Sequence, residues 1–339
     1  MRAPHLASLL LTGVLASTHA EAGTPGIRGV GGEEDWFASV YTSRGQEVRA
    51  DARVFTLFAL LNRAGYDAGP VEQRHPIPRH RHGPARTHVR EALEEASRGV
   101  LDEARAYFAA HPEPIEVYLA RVLGGASASG AARRLDGLEA LLERAERDWP
   151  LAALRARTLT TYRAEQRAWL PRLDPPFQQA ARLLGLPEGE PAPTLVVNLL
   201  EAEGSIRPVE TGRGWVIVVG PATRAPEVEP VVRELSRGVL GARLAGRLGP
   251  RWSGGAAVLK EARARGAGEG TVDEYGVALL SRALALMATG APAGAYEAAG
   301  REGYFGLKHL ARSFEGSRPV DAWALDGLAR VSSDPALRK

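Results

Sequence analysis

The stretch VVRELSRGV, residues 231–239, sets Glu234 between Arg233 and Arg237, two residues one helical turn apart. Side chains at that spacing share a helix face. Two histidines there could hold a zinc ion, and the glutamate between them would activate its bound water. A guanidinium cannot take that role: it has no lone pair to give and keeps its proton at any accessible pH, with a pKa above ~12. Its fixed charge also repels a divalent cation. The chemistry left to Arg233, Glu234 and Arg237 is charge-assisted pairing with carboxylates and cations.

Other candidates are weaker. His75, His80, His82 and His88 lie in RHPIPRHRHGPARTH, residues 74–88, where His80 and His82 could grip a transition metal. Arg74, Arg79, Arg81 and Arg86 crowd the same loop, so a solvated basic loop or an anion contact is the simpler reading. His111 before Pro112 reads as a turn residue, and His309 in YFGLKHLARSFE as a packed or half-exposed helix residue. No Gly-x-Ser-x-Gly elbow, phosphate loop or dinucleotide fingerprint is present. Glu94 with Glu95, and Glu201 with Glu203, read as helix-surface or turn residues. No metal and no cofactor is expected.

The elements that must position Glu234 follow from local pattern. PAPTLVVNLLEAEG (191–204) and GRGWVIVVGP (212–221) are short β-rich runs bounded by turn residues, predicting a hairpin or paired strands. A helix beginning around 226–228 follows. On a wheel its Val228, Val231, Val232, Leu235, Val239 and Ala242 form one side, and Arg233 and Arg237 the other. Glu229, one turn before Arg233, can pair with it. On the wheel alone, a solvated, salt-bridged helix face is the simpler reading of this pattern, and a functional cleft the alternative.

Upstream, Val54, Leu57, Phe58 and Leu61 predict a helix stopped at Gly65. Further helices are predicted near 88–110, 115–123, 131–148, 151–170 and 175–185. After Gly249 to Gly255, others follow at 256–265, 272–289, 293–300, 303–314 and 320–331. No fixed repeat is present. The fold class expected is α+β and mainly helical, with a small mixed sheet.

Strands, turn and a Glu-centred helix resemble the core of secreted bacterial proteins of a domain-of-unknown-function family with a gluzincin-like metallopeptidase core. VFTLFALLNRAGYD (54–67), ARAYFAAHPEPIEVY (104–118) and TLVVNLL…GWVIVVGP…VVRELSR carry the likeness, over roughly residues 35–315. The resemblance implies a helical N-terminal half (35–187) packed on a metallopeptidase-like core (188–339). It implies that the helix VDEYGVALLSRALALM (272–287) supplies a third ligand, at Glu274. With both histidines replaced, it implies a degenerate member: Glu234 is the catalytic position only by place, and Arg233 or Arg237 pairs with Glu274. In such cores the strand before the helix edges the sheet, so a groove beside Trp215 and residues 214–219 could hold an extended or acidic peptide. A plain core strand is the competing reading of that run.

The whole chain bounds these readings. At 339 residues and 45% hydrophobic composition it can bury a substantial core. Its 43 basic residues face 40 acidic ones, a balance that makes no case for nucleic acid. Lys260, Lys308 and Lys339 are the only lysines, so arginine carries the positive charge. Arg2, an apolar run over 6–15 and small residues near 18–22 predict an export signal over 1–22, with a glycine-rich lead-in over 23–34. No segment reaches the roughly 20 apolar residues of a membrane helix, so no stable insertion is expected after signal removal. The absence of cysteine suits an exported protein, periplasmic or extracellular, with an adequate core. The function expected is a pseudoenzyme that binds a peptide or protein partner. The alternatives are a helical interaction module without peptidase ancestry, or an active hydrolase using residues not identified.

Overall fold

The computed structural model describes residues 39–65, 83–124, 130–186, 193–212, 214–222, 224–316 and 319–338. The export signal, the lead-in, and His75, His80 and His82 lie outside them. The architecture is α+β and mainly helical, with one mixed sheet of five strands.

Strands β1 (Val40–Tyr41), β2 (Glu47–Arg49), β3 (Thr194–Val197), β4 (Ile206–Thr211) and β5 (Gly214–Val219) stand in the order β1-β2-β3-β5-β4. β2, β3 and β5 run parallel, and β1 and β4 are antiparallel edges. The runs TLVV and GWVIVV are buried almost throughout, as β-branched residues in a sheet covered on both faces should be. β4 alternates instead, with Arg207 and Val209 buried and Ile206 and Pro208 half-buried. Pro208 has no N–H to donate, and an edge strand tolerates that.

Of the expected hairpin or paired strands, the pairing holds and the hairpin does not: β3 and β5 are neighbours but run parallel, and the antiparallel partner of β5 is β4. The groove beside β5 is corrected with it. β5 lies between β3 and β4, so its backbone is used on both sides, and the edge next to the Glu234 helix is β4.

Helix α1 (Ala52–Ala64) starts at Asp51, whose carboxylate accepts from the N–H groups of Arg53 and Val54. It stops at Gly65, whose φ of 86° only glycine adopts freely. Ten of its residues are buried, so it runs through the core. Around it stand α2 (Pro84–Ala92), α3 (Arg98–Ala110), α4 (Ile115–Gly124) and α5 (Leu138–Asp148).

The next helix departs from expectation. Pro171, Pro175 and Pro176 predict a break between 170 and 175, yet α6 (Leu151–Leu184) is continuous over 34 residues. Each interior proline costs about 3 kcal/mol. Tyr162, Trp169, Leu173, Phe177, Ala180 and Leu184 keep one buried stripe in step across the prolines, and that packing outweighs the cost.

In the C-terminal half, α7 (Val228–Leu244) packs against β4, α6 and α9 (Val272–Ala288). Helices α8 (Gly255–Ala264), α10 (Ala293–Arg301), α11 (Leu307–Arg312) and α12 (Val320–Ser333) complete the described chain. One buried cluster runs from Val48 to Val331, so both halves share sheet and core. No described helix is long and apolar enough to cross a membrane.

Candidate functional site

Helix α7 begins at Val228 with Glu229 and Pro230 in its first turn, where a negative charge meets the positive helix end and a missing N–H costs little. Val231, Val232, Leu235, Val239, Leu240 and Leu244 are buried, which fixes the rotation of the helix. Ala242, expected on that side, is exposed. Gly238 lies one turn beyond Glu234. A Cβ there would stand 2.6 Å from Cζ3 of Trp215 and 3.2 Å from Cβ of Pro208. The half-buried indole thus lies on bare α7 backbone, at the start of β5 and beside the edge strand β4.

The polar groups of this face form a line. Arg233 Nη1 stands 3.6 Å from Glu229 Oε2, and its Nε 3.5 Å from Glu234 Oε1. Arg237 Nε stands 3.8 Å from the other oxygen of Glu234, and its Nη2 reaches Glu269 Oε1 at 3.3 Å. Glu269 belongs to the α8–α9 connection, so Arg237 ties α7 to that connection. The same Glu269 oxygen accepts from the Tyr304 hydroxyl at 3.1 Å. Arg282 of α9 lies over the Tyr304 ring, 4.8 Å from its centre, and pairs with Glu302 at 2.8 Å. Behind them Trp252, Tyr275 and Tyr304 stack with centres 6.0 and 6.2 Å apart.

Burial raises the pKa of the Tyr304 hydroxyl, and the charge and hydrogen bond of Glu269 raise it further, against Arg282 and Arg237. Burial likewise raises that of Tyr275. Both hydroxyls are donors at neutral pH. The Arg237 side chain is 44% exposed and Glu234 22%, so these long pairs contribute only about 0–1 kcal/mol each. Their consequence is positional: Glu234 is held between two guanidiniums. Glu269, 10% exposed, keeps one buried oxygen without a hydrogen-bond partner.

Glu274 does not join this line, which corrects the expected pairing with Arg233 or Arg237. Its carboxylate accepts from the N–H groups of Gly270 and Thr271, while Thr271 caps its own N–H, a closed capping box at the start of α9. The carboxylate that reaches Arg237 is Glu269, five residues earlier. It sits in AGEG, where glycines erase any periodic signal, so spacing could not have found it. Tyr304 and Arg282 were missed for the same lack of a motif. Of the remaining histidines, His88 is exposed. His111 bonds the Tyr107 carbonyl at 3.0 Å and stacks on its ring, and His309 is half-buried on α11.

Zinc does not fit this face: Glu234 and Glu269 are both engaged by Arg237, and no neutral nitrogen stands with them. Among the described residues, no three His, Asp or Glu side chains gather as a metal would require. A shallow depression of about 620 Å³ lined by Ser253, Gly254, Asp326, Arg330, Ser332 and Ser333 includes none of the α7 residues. The hydroxyls of Ser332 and Ser333 there are spent on carbonyls of α12. In comparisons with family models, with curated proteins and with solved structures, the chain matches none.

Proposed function

We propose that this chain is an exported protein of metallopeptidase-like build that performs no catalysis and binds a peptide or protein partner along α7. The observation that carries the reading is the position of Glu234 between Arg233 and Arg237. In metal-assisted hydrolysis the glutamate is the general base for water that the ion polarises, and two guanidiniums supply charge without an open coordination position. The face keeps features that suit an extended ligand. β4 has β5 on one side and no strand on the other, the half-buried Trp215 lies beside it, and cations and carboxylates alternate along α7. A peptide adding to β4 would gain backbone hydrogen bonds, and its own charges could exchange with those of Arg233, Arg237 and Glu269.

A second reading, an interaction module without peptidase ancestry, is favoured by one observation: Glu274 is consumed in its own capping box. One experiment separates the readings. The protein is immobilised, incubated with a pool of unstructured peptides, and retained and cleaved species are read by mass spectrometry. The proposal expects retention without cleavage, and loss of retention in Gly238→Leu, which drives Trp215 off α7. Cleavage that disappears in Glu234→Gln would replace it with an active hydrolase. Peptides that no form retains would leave the interaction-module reading.

A further inference from the structure

Helix α6 carries a large excess of positive charge. It holds six arginines against Glu165 and Asp174, an excess of four where the whole chain carries only +3. Both acids are turned to the body: Glu165 accepts from the Ala222 N–H, and Asp174 from the loop of Thr42, Ser43 and Arg44. Every exposed position along α6 is Ala, Thr, Pro or Arg. The exposed arginines are Arg157, Arg167, Arg172 and Arg182, and none has an ion-pair partner among the described residues. An arginine-rich composition alone does not produce this, because α5 sets Glu139, Glu143, Glu146 and Asp148 among Arg144 and Arg147.

At 100° and 1.5 Å per residue, the four fall within an arc of about 140° and span about 37 Å. Arg44, bonded to Gln178 at 2.6 Å, widens the strip on the Arg167 flank. The alanines between leave the guanidiniums proudest. No large apolar side chain but Tyr41, on β1, is exposed among the described residues, so α6 itself presents neither a wedge for insertion nor a ring for stacking bases.

We infer that α6 is a docking face for an anionic phospholipid surface, on which the helix lies flat and does not insert. A plane of phosphates can meet all four guanidiniums at once, each forming paired N–H···O bonds. This surface is independent of the α7 site and stands or falls apart from it.

Co-sedimentation with vesicles tests it, using phosphatidylcholine alone and phosphatidylcholine with one part in three phosphatidylglycerol. The full chain should bind the anionic vesicles only and be released in 1 M salt, where screening acts within about 3 Å. Arg157→Gln, Arg167→Gln, Arg172→Gln and Arg182→Gln together should lower partitioning several-hundred-fold, about fivefold or ~1 kcal/mol for each arginine. Circular dichroism should show the variant folded. Should the quadruple variant fail to fold, the 157/167 and 172/182 pairs read the same effect, each about 25-fold. Equal binding to neutral vesicles, or undiminished binding by the variants, overturns the inference. So does binding to a duplex oligonucleotide or polyglutamate with none to vesicles.

Discussion

Arg207→Met should destabilise the protein by about 3–5 kcal/mol, the cost of stranding a buried charge. Glu201, wholly buried in the loop after β3, is held by Arg207 Nε at 2.7 Å and by the Ala202 N–H at 2.9 Å. The same guanidinium reaches Glu116 of α4 at 2.6 Å, joining edge strand, loop and helix. Burial lowers the Arg207 pKa, but the two carboxylates outweigh it and hold the group above its ordinary value. Methionine keeps the stem and removes the charge, leaving Glu201 with one N–H donor. Chemical denaturation reads the loss. Adding Glu201→Gln to that variant should restore part of it, since the stranded charge goes with the carboxylate. No loss on Arg207→Met would mean that the pair and its neighbours relax at no cost.

Gly220→Ala should cost about 3 kcal/mol or more, from overpacking and broken hydrogen bonds together. An added Cβ would stand 2.0 Å from the Ala202 carbonyl oxygen, a backbone atom with no side chain to swing aside. Relief requires β5 and the loop over residues 198–205 to part. They are stitched by bonds from Asn198 N–H to Val219 at 2.8 Å, Gly220 N–H to Ser205 at 2.8 Å, and Gly204 N–H to Pro221 at 3.0 Å. Thermal unfolding should shift down by roughly 6–12 °C. The control Gly241→Ala, inside α7 where an added Cβ meets nothing within 4 Å, should instead stabilise the protein by about 0.5–1 kcal/mol.

Much of the fold is legible because its helices bury one face. The expected helix at 272–289 lies within one residue of α9, and that at 320–331 starts where α12 does. Legibility fails where tertiary packing overrides a local signal. Prolines predicted a break that the buried stripe of α6 bridges. β4 hid behind Arg207 and Pro208, because a strand residue that buries a cation against Glu201 breaks the alternation of apolar and polar types. At the site, sequence supplied the residues of one helix and not their partners. Arg233, Glu234 and Arg237 do lie together, since helical spacing demands it. Glu269 comes from a glycine-flanked connection, and only the path of the chain between α8 and α9 brings it to Arg237.

A zinc count asks whether guanidinium pairing leaves Glu234 any room to hold a metal. The purified protein is loaded with excess zinc, desalted and analysed for bound metal. Well under one zinc per chain should remain, with no change in Glu234→Gln or Glu269→Gln. One tightly held zinc per chain, lost in either variant, would contradict the proposal.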